Sequence, residues 1–588
     1  MSIRVGEVVA ISGIRITLRI DEESNKETLF HEGQRYKGIS IREHIAIQRG
    51  FKDIVCIVEG EQLDEKKFEL DGDRTQYIRK IEVRPIGYFE GDTFKHGVKF
   101  LPMIKDAAFL LNEARVLQIY ETSKAGGLTI GRMLKEDLPV RLPWHRLFNS
   151  HIGIFGNTGS GKSNTLAKLF TTLFEERQAS ILGKSQFVII DFNGEYTGNQ
   201  LTTQKRSYHL STNPSNSLFY IDQEEFWNSD TLSLLFQATQ NTQRPFLTRL
   251  VEGRRLFGGL PNSLSGYAQA TFKKVFSSAS PRPESLELLR RICRIAGSAT
   301  VESALQDISW NATLKNFFRR TPNRTIYFDA DGLEYAATLE QTVLMLDLSR
   351  LSAFDELIVR VHIQLTRELQ HGFVQFDHIQ PLVKRMESLV GGLQKVIAVG
   401  RDPLSTSDLV SVISLKRCNT EIKKVVPLLL AQHFYQRHKA QSLTPPERTT
   451  HLIIDEAHNI LSQQSTREHE SWRDYRLEMF EEIIKEGRKF GFFLTVSSQR
   501  PADISPTIVS QLHNFFIHRL VNDRDLFLID NTLSTLDALS RALVPTLAQG
   551  CCVATGTAFE LPLVMQVEQL ARGKSPDSED VNLSVLWS

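Results

Sequence analysis

The sequence predicts an α/β fold: a core of strand–loop–helix units, preceded by a small β-barrel and split by a mainly helical insertion. Three observations predict it. From about residue 150, apolar strand-like runs alternate with helical stretches, the pattern of a sheet covered by helices. A glycine-rich stretch, GNTGSGKSN, lies between one such strand and the helix after it. Before residue 120 the apolar positions instead recur with period two, broken by glycine turns.

The barrel is expected over residues 1–120. After Gly13, residues Ile14, Ile16, Leu18 and Ile20 face one way and Arg15, Thr17, Arg19 and Asp21 the other, so 8–21 reads as a half-buried antiparallel strand. DIVCIVEG (53–60) and RKIEVRPIG (79–87) are further strand candidates. Nothing in this part looks catalytic, which leaves assembly or docking. The first part of the core follows over 121–210. A mainly helical subdomain is expected over 211–440 and the second part of the core over 441–570. Residues 571–588 read as an acidic tail that could dock through Leu586 and Trp587. At 588 residues the chain exceeds what one core can bury.

Charge and composition narrow the function. The formal net charge is only +1, so a bound polyanion would need locally segregated charge. Such segregation exists: residues 241–330 hold 14 Lys and Arg against 6 Asp and Glu. A solvated helical face and a nucleic-acid-facing surface both account for it. The five cysteines form no CxxC pair, which suits a reducing cytosol. No uncharged apolar run approaches the ~20 residues that span a bilayer, so a cytoplasmic protein without a membrane partner is expected.

The strongest motif is G-x-x-x-x-G-K-S from Gly156 to Ser163. Ile152 and Ile154 alternate into a strand before it; Leu166, Leu169, Phe170, Leu173 and Phe174 share one helical face after it. The glycines Gly156, Gly159 and Gly161 let the backbone curl so that its N–H groups cradle phosphate at a helix N-terminus. Lys162 is placed to reach the β and γ phosphates of ATP, and the Ser163 hydroxyl to hold Mg²⁺. The nucleotide-binding stretch therefore comprises Gly156, Asn157, Thr158, Gly159, Ser160, Gly161, Lys162, Ser163 and Asn164. Such a loop needs an acid on a neighbouring strand, and HLIIDEAHNI (451–460) supplies two. Asp455 would hold Mg²⁺, and Glu456 would polarise the attacking water. FVIIDFNGEY (187–196) ends a third apolar strand with Asp191 and Glu195. Both could face the same phosphate edge, or the pair could be an ordinary strand-terminal turn. In KEGRKFGFFLTVSSQRP (485–501), a buried-type strand is flanked by Arg488 and Lys489 on one side and Gln499 and Arg500 on the other. Guanidinium groups at strand ends call for an anion.

With these pieces in place the chain resembles the HerA family of hexameric, FtsK-related ATPases. GNTGSGKSNT, DFNGEY, LIIDEAHNI and the block 483–525 carry the resemblance, with GEVVAISG near the N-terminus and 550–567 near the C-terminus. It implies a RecA-like P-loop NTPase core, a homo-hexameric ring with ATP between neighbours, and double-stranded DNA through the central pore. By position it implies that Asp191 and Glu195 form an accessory acidic element, that Gln499 reads the γ-phosphate and that Arg488 reaches into the neighbour's site. Many relatives carry Arg before the His that opens the phosphate-loop strand; here Ser150 precedes His151. Arg146 and Arg500 are the candidates to replace it. The implied activity is ATP hydrolysis driving DNA translocation or unwinding. An effector partner is also implied, either a nuclease or a sirtuin-like NAD hydrolase, in DNA end processing or antiviral defence. An ATP-regulated hexameric scaffold that activates an effector without translocating is the alternative.

Overall fold

The computed structural model describes the chain except for residues 1–2, 25, 27, 32–33, 69–73, 121–125, 214–216, 259, 261, 323, 403–407, 464–469, 534, 578–585 and 588. No helix among the described residues is long and apolar enough to cross a membrane.

The N-terminal strands Arg4–Ser12, Arg15–Ile20, His44–Arg49, Lys52–Phe68, Arg74–Glu90 and Ala107–Leu110 form an antiparallel barrel. Pairing of Arg15–Ile20 with Arg74–Glu90 closes it. Residues 8–21, expected as one strand, are a hairpin. Gly13 takes φ of 61° and Ile14 turns outward, 53% exposed. Across the two-residue turn Ser12 pairs with Arg15 and Ile11 with Ile16, so the inward positions change from odd to even numbers there. Ile16 and Leu18 are fully buried as that alternation requires.

The core is a single mixed sheet of eleven strands. Its order is Pro139–Leu142, Leu128–Met133, Leu563–Val567, Cys551–Gly556, Asn514–Ile517, Ile152–Phe155, Phe492–Ser498, Thr449–Ile454, Ser185–Asp191, Val410–Arg417, Lys205–Ser211. From Asn514–Ile517 to Lys205–Ser211 the pairs are parallel; the remaining edge is antiparallel. Helices cover both faces, which is why Phe492–Ser498 is buried at every residue and reads as a continuous apolar run. Ala46, Val55, Ile86 and Phe89 of the barrel share one apolar cluster with Ile130, Ile152 and Phe170, fastening barrel to core.

The segment 211–440 is mainly helical, with long helices at Gln243–Phe257, Ser263–Phe276, Ala353–His371, Phe376–Leu393 and Thr420–Gln441. It also holds two things that helical periodicity conceals. Ile308–Asn311, Asn316–Arg320 and Thr325–Tyr327 form a small antiparallel sheet packed on a core of Phe272, Phe276, Phe317 and Phe328. Val410–Arg417, an apolar run, inserts into the large sheet beside Ser185–Asp191. Half of the expected tail lies outside the described residues; Leu586 and Trp587 are exposed.

Candidate nucleotide site

The phosphate loop leaves the strand Ile152–Phe155 and enters the helix Lys162–Ile181. Gly159 and Gly161 take φ of 74° and 108°, conformations that an L side chain resists. A Cβ at Gly156 would fall 2.4 Å from the His518 Cβ, and one at Gly161 2.8 Å from Gly550 Cα. The loop is held from outside by bonds from Asn157 N–H to the Arg519 carbonyl (2.9 Å) and from Gly550 N–H to the Ser160 carbonyl (2.9 Å). It is a preformed cradle rather than a flexible turn.

Lys162 is 5% exposed, and its ammonium lies 3.1 Å from Glu456 Oε1, 3.2 Å from Ser497 Oγ and 3.5 Å from Asp455 Oδ1. Burial alone would pull the lysine pKa down, but Asp455 and Glu456 outweigh it and hold it above the ordinary value. Burial pushes the Glu456 carboxyl up, yet His458 and Lys162 together bring it down to about 2. Glu456 therefore stays ionised. Its backbone takes φ of 49°, an uncommon left-handed conformation directly after the strand Thr449–Ile454. His458 Nδ1 stands 3.2 Å from Glu456 Oε2, which makes His458 a polar contact of the site rather than a surface residue.

Asp191 and Glu195 do different things. Asp191 Oδ1 accepts from the N–H groups of Asn193 (3.2 Å), Gly194 (2.7 Å) and Glu195 (3.1 Å), and Oδ2 accepts from Tyr196 N–H at 3.0 Å. Its carboxylate organises the turn. Glu195 accepts from Asn193 Nδ2 at 3.2 Å through Oε1, while buried Oε2 has no hydrogen-bond partner. Burial and the Asp455 charge raise the Glu195 pKa, with Ser163 beside it countering. Asp455 Oδ2 is likewise buried without a hydrogen bond. Two unsatisfied hard oxygens next to a serine hydroxyl fit a small divalent cation such as Mg²⁺.

The strand Phe492–Ser498 connects this site with the far edge of the sheet. Ser498 pairs with Phe155 and Thr495 with Ile152, so the strand runs alongside the phosphate-loop strand in the same direction. Gln499 emerges at the loop end, where its Oε1 accepts from the Thr158 hydroxyl. Arg488 precedes the other end, exposed, with its guanidinium on His513 Nε2. Seven strand residues at ~3.3 Å each separate the two by more than ~20 Å. Arg488 cannot reach its own chain's phosphate loop.

Other expected residues sit elsewhere. Asn164 turns its amide to the Glu568 carbonyl (3.1 Å) and the Leu570 N–H (3.3 Å), away from the acids. Ser150 is buried at the start of the phosphate-loop strand, donating to Leu147 O and accepting from Asn514 Nδ2. That is the Arg488 edge, so no side chain at 150 faces the chain's own phosphate loop. Arg146 is bound there too, to Glu560 and the Thr557 carbonyl. Arg500 stands exposed at the loop edge beside Gln499. Sequence reasoning missed Ser497 and His151. Ser497 is the position in FFLTVSS that meets Lys162. His151 Nδ1 accepts from Leu494 N–H at 2.9 Å, and its Nε2 meets the Ile484 carbonyl at 2.9 Å. A lone histidine before a strand carries no signal of that role.

The cradle, the buried lysine and the two acids at the ends of adjacent parallel strands define a P-loop NTPase. Comparison with known proteins sharpens this. The family described as the central domain of helicase HerA matches residues 128–365. A probable helicase from Methanocaldococcus jannaschii is 22% identical over 530 residues, covering 85% of each chain. The probable DNA double-strand break repair helicase HerA of the same organism is 24% identical over 499 residues, covering 83% of this chain and 85% of its own. Among solved structures, the plasmid coupling protein TrwB with a non-hydrolysable GTP analogue matches 80% of this chain and 95% of its own, at 12% identity and a TM-score of 0.44. Over most of its length the chain is thus similar to HerA helicases, and it is an ATPase.

Proposed function

We propose that this protein is a ring-forming, ATP-hydrolysing translocase that moves along double-stranded DNA. The observation that carries the reading is the division of one strand between two places. Gln499 contacts the phosphate loop at one end, and Arg488 stands exposed beyond reach at the other. A site of this kind is complete only when a neighbouring copy brings its own Arg488. A homo-hexamer with ATP between subunits supplies that arrangement.

In the proposed cycle Lys162 leaves the acids to meet the β and γ phosphates, which replace their charge. Ser163 and Asp455 would hold Mg²⁺, with Glu195 near it; the ion would neutralise charge on the transferring phosphoryl group. Glu456, ionised and steadied by His458, takes the proton of the attacking water. Gln499 and Thr158 register the γ-phosphate, and the neighbour's Arg488 stabilises the charge that develops on it. The resemblance of most of the chain to HerA helicases supports DNA as the track. Phe30, Phe51, Met103 and Ile104 stand exposed on and beside the barrel, which supports docking of an effector there. A nuclease or a sirtuin-like NAD hydrolase, in DNA end processing or antiviral defence in the cytoplasm, is the proposed effector.

Streptavidin displacement from end-biotinylated duplex tests the reading. A translocase strips streptavidin in an ATP-dependent way that Glu456→Gln abolishes. DNA-independent ATP turnover without displacement would instead establish the scaffold alternative.

A further inference from the structure

A groove of about 920 Å³ opens between the insertion helices Gln243–Phe257, Ser263–Phe276 and Ala353–His371, lined by no residue of the phosphate loop. Its size is at the upper end of ~300–1,000 Å³ ligand sites. Two features set its chemistry.

The first is charge. Outside the groove, six of the other twelve Lys and Arg of 241–330 are ion-paired. Arg244 pairs with Asp230, Arg291 with Glu387, Arg294 with Glu302 and Lys273 with Glu340. A solvated, ion-paired face accounts for those residues. In the groove the balance differs, since Arg249, Arg254, Arg360 and Arg367 line it against the single carboxylate of Glu368. Arg249 takes Glu368 with two bonds of 2.8 Å, and Arg254 and Arg360 share Glu356. Arg367 has no ion pair among the described residues; its guanidinium lies over the Tyr267 ring, 4.9 Å from the centroid. One carboxylate shared by two arginines, and one arginine with none, leave net positive charge facing the opening.

The second feature is exposed aromatic surface. Phe257 is 58% and Phe373 76% exposed on the groove walls, and Tyr267 is already a stacking partner. Rings held out of a core and flanked by guanidinium groups offer π-faces to an anionic ligand that has flat groups of its own. Phosphates on arginine and bases on aromatic rings satisfy both features together. An acidic peptide would satisfy the charge but leave the rings with no flat partner.

We propose that this groove is a single-stranded DNA site, taking a short run of nucleotides by backbone charge and base stacking without reading sequence. The proposal deepens the translocase reading and rests on it for the choice of polymer. It gives the ring a second DNA contact, suited to a strand frayed or displaced at a duplex end.

The test is fluorescence anisotropy with the full chain, without nucleotide. The probes are a labelled oligothymidylate of about twelve nucleotides, within the ~4–16 range of single-strand sites, and a blunt duplex. Phe257→Ala with Phe373→Ala, both at exposed positions, should weaken oligothymidylate binding by about tenfold or more and leave duplex binding and DNA-free ATP turnover unchanged. Arg367→Glu should weaken it too and flatten the salt dependence by about 0.7 in log–log slope. Unchanged single-strand affinity in these variants overturns the proposal. Displacement of the oligonucleotide by polyglutamate at equal charge concentration overturns it as well, and marks an acidic-protein surface instead. If duplex still binds and drives streptavidin displacement, only the groove assignment falls. If the wild-type chain binds neither probe, the translocase reading falls with it.

Discussion

Lys162 Nζ sits 3.1 Å from Glu456 Oε1, so the phosphate-loop lysine neutralises the Glu456 carboxylate. The two charges are buried together and each holds the other in its ionised form. Lys162→Ala should therefore do more than abolish ATP binding. It leaves Glu456 and Asp455 without their cation, and breaking such a buried pair costs about 3–5 kcal/mol. Chemical denaturation at neutral pH should show that loss, and a second change, Glu456→Gln, should restore part of it. Full additivity of the two changes would refute the coupling.

Glu456→Gln alone should keep nucleotide affinity and lose turnover by ~10²–10⁴-fold. Equilibrium binding of a fluorescent ATP analogue alongside a phosphate-release assay separates the two effects. Near-normal turnover would remove Glu456 as the base.

The separation of Arg488 from its own phosphate loop makes a mixing experiment decisive. Arg488→Ala and Glu456→Gln preparations should each lose activity, with a finger worth ~10³–10⁵ in rate. Rings assembled from both should regain a fraction, because some interfaces combine an intact Glu456 with a neighbour's intact Arg488. No recovery above either parent counts against action across the interface.

Asp191 and Glu195 should respond differently to loss of charge. Asp191→Ala removes the acceptor for four backbone N–H groups and should lower thermal stability. Glu195→Gln should leave stability near wild type and raise the Mg²⁺ concentration needed for half-maximal ATP turnover. Equal behaviour of the two variants would merge roles that the hydrogen bonding keeps apart.

Acid should destabilise this fold through histidines rather than through Glu456. Burial depresses His151 and His518 to about 4, and His44 and His451 to about 3. In the unfolded chain each titrates near ~6.5. The folded form thus binds fewer protons between those values, and stability falls as pH drops from about 6.5 toward 4. Urea titrations at pH 7 and pH 5 should show unfolding at the lower pH taking up about three more protons at these groups. Pair formation by Glu456 should persist across the same range, since its pKa is about 2.

The parts of the site that were legible in the sequence are those whose chemistry demands a particular residue at a particular spacing. Gly161 and Lys162 must adjoin, and Asp455 must end an apolar strand, so local patterns expose them. Arg488 and Gln499 were visible because a core strand has no use for flanking polar groups. Asp191 was ambiguous for a physical reason: a carboxylate that caps a turn and one that faces a metal need the same Gly-containing loop. His151 was invisible because its partners, Leu494 and Ile484, lie more than three hundred residues away in sequence. In the fold, the hairpin at Gly13 escaped because Ile14, exposed in the turn, continues the even-numbered apolar series of Ile16, Leu18 and Ile20 in sequence. Val410–Arg417 escaped because a short apolar run between helices reads equally as helix. The groove lined by Arg367 and Phe373 is a purely tertiary product, although the charge bias of 241–330 pointed toward its neighbourhood.

His151 pins both the helix at Ile484, in its last two turns, and the strand at Leu494, leaving little slack where Glu470–Phe490 hands over to Phe492–Ser498. A seven-residue strand clamped in a sheet is stiff along its length. A shift of Gln499 would therefore displace the Arg488 end as a rigid pushrod does, rather than being absorbed on the way. In a closed ring each pushrod would end where the next chamber begins. Firing order would then be written into the mechanics of one strand, with no messenger needed between subunits.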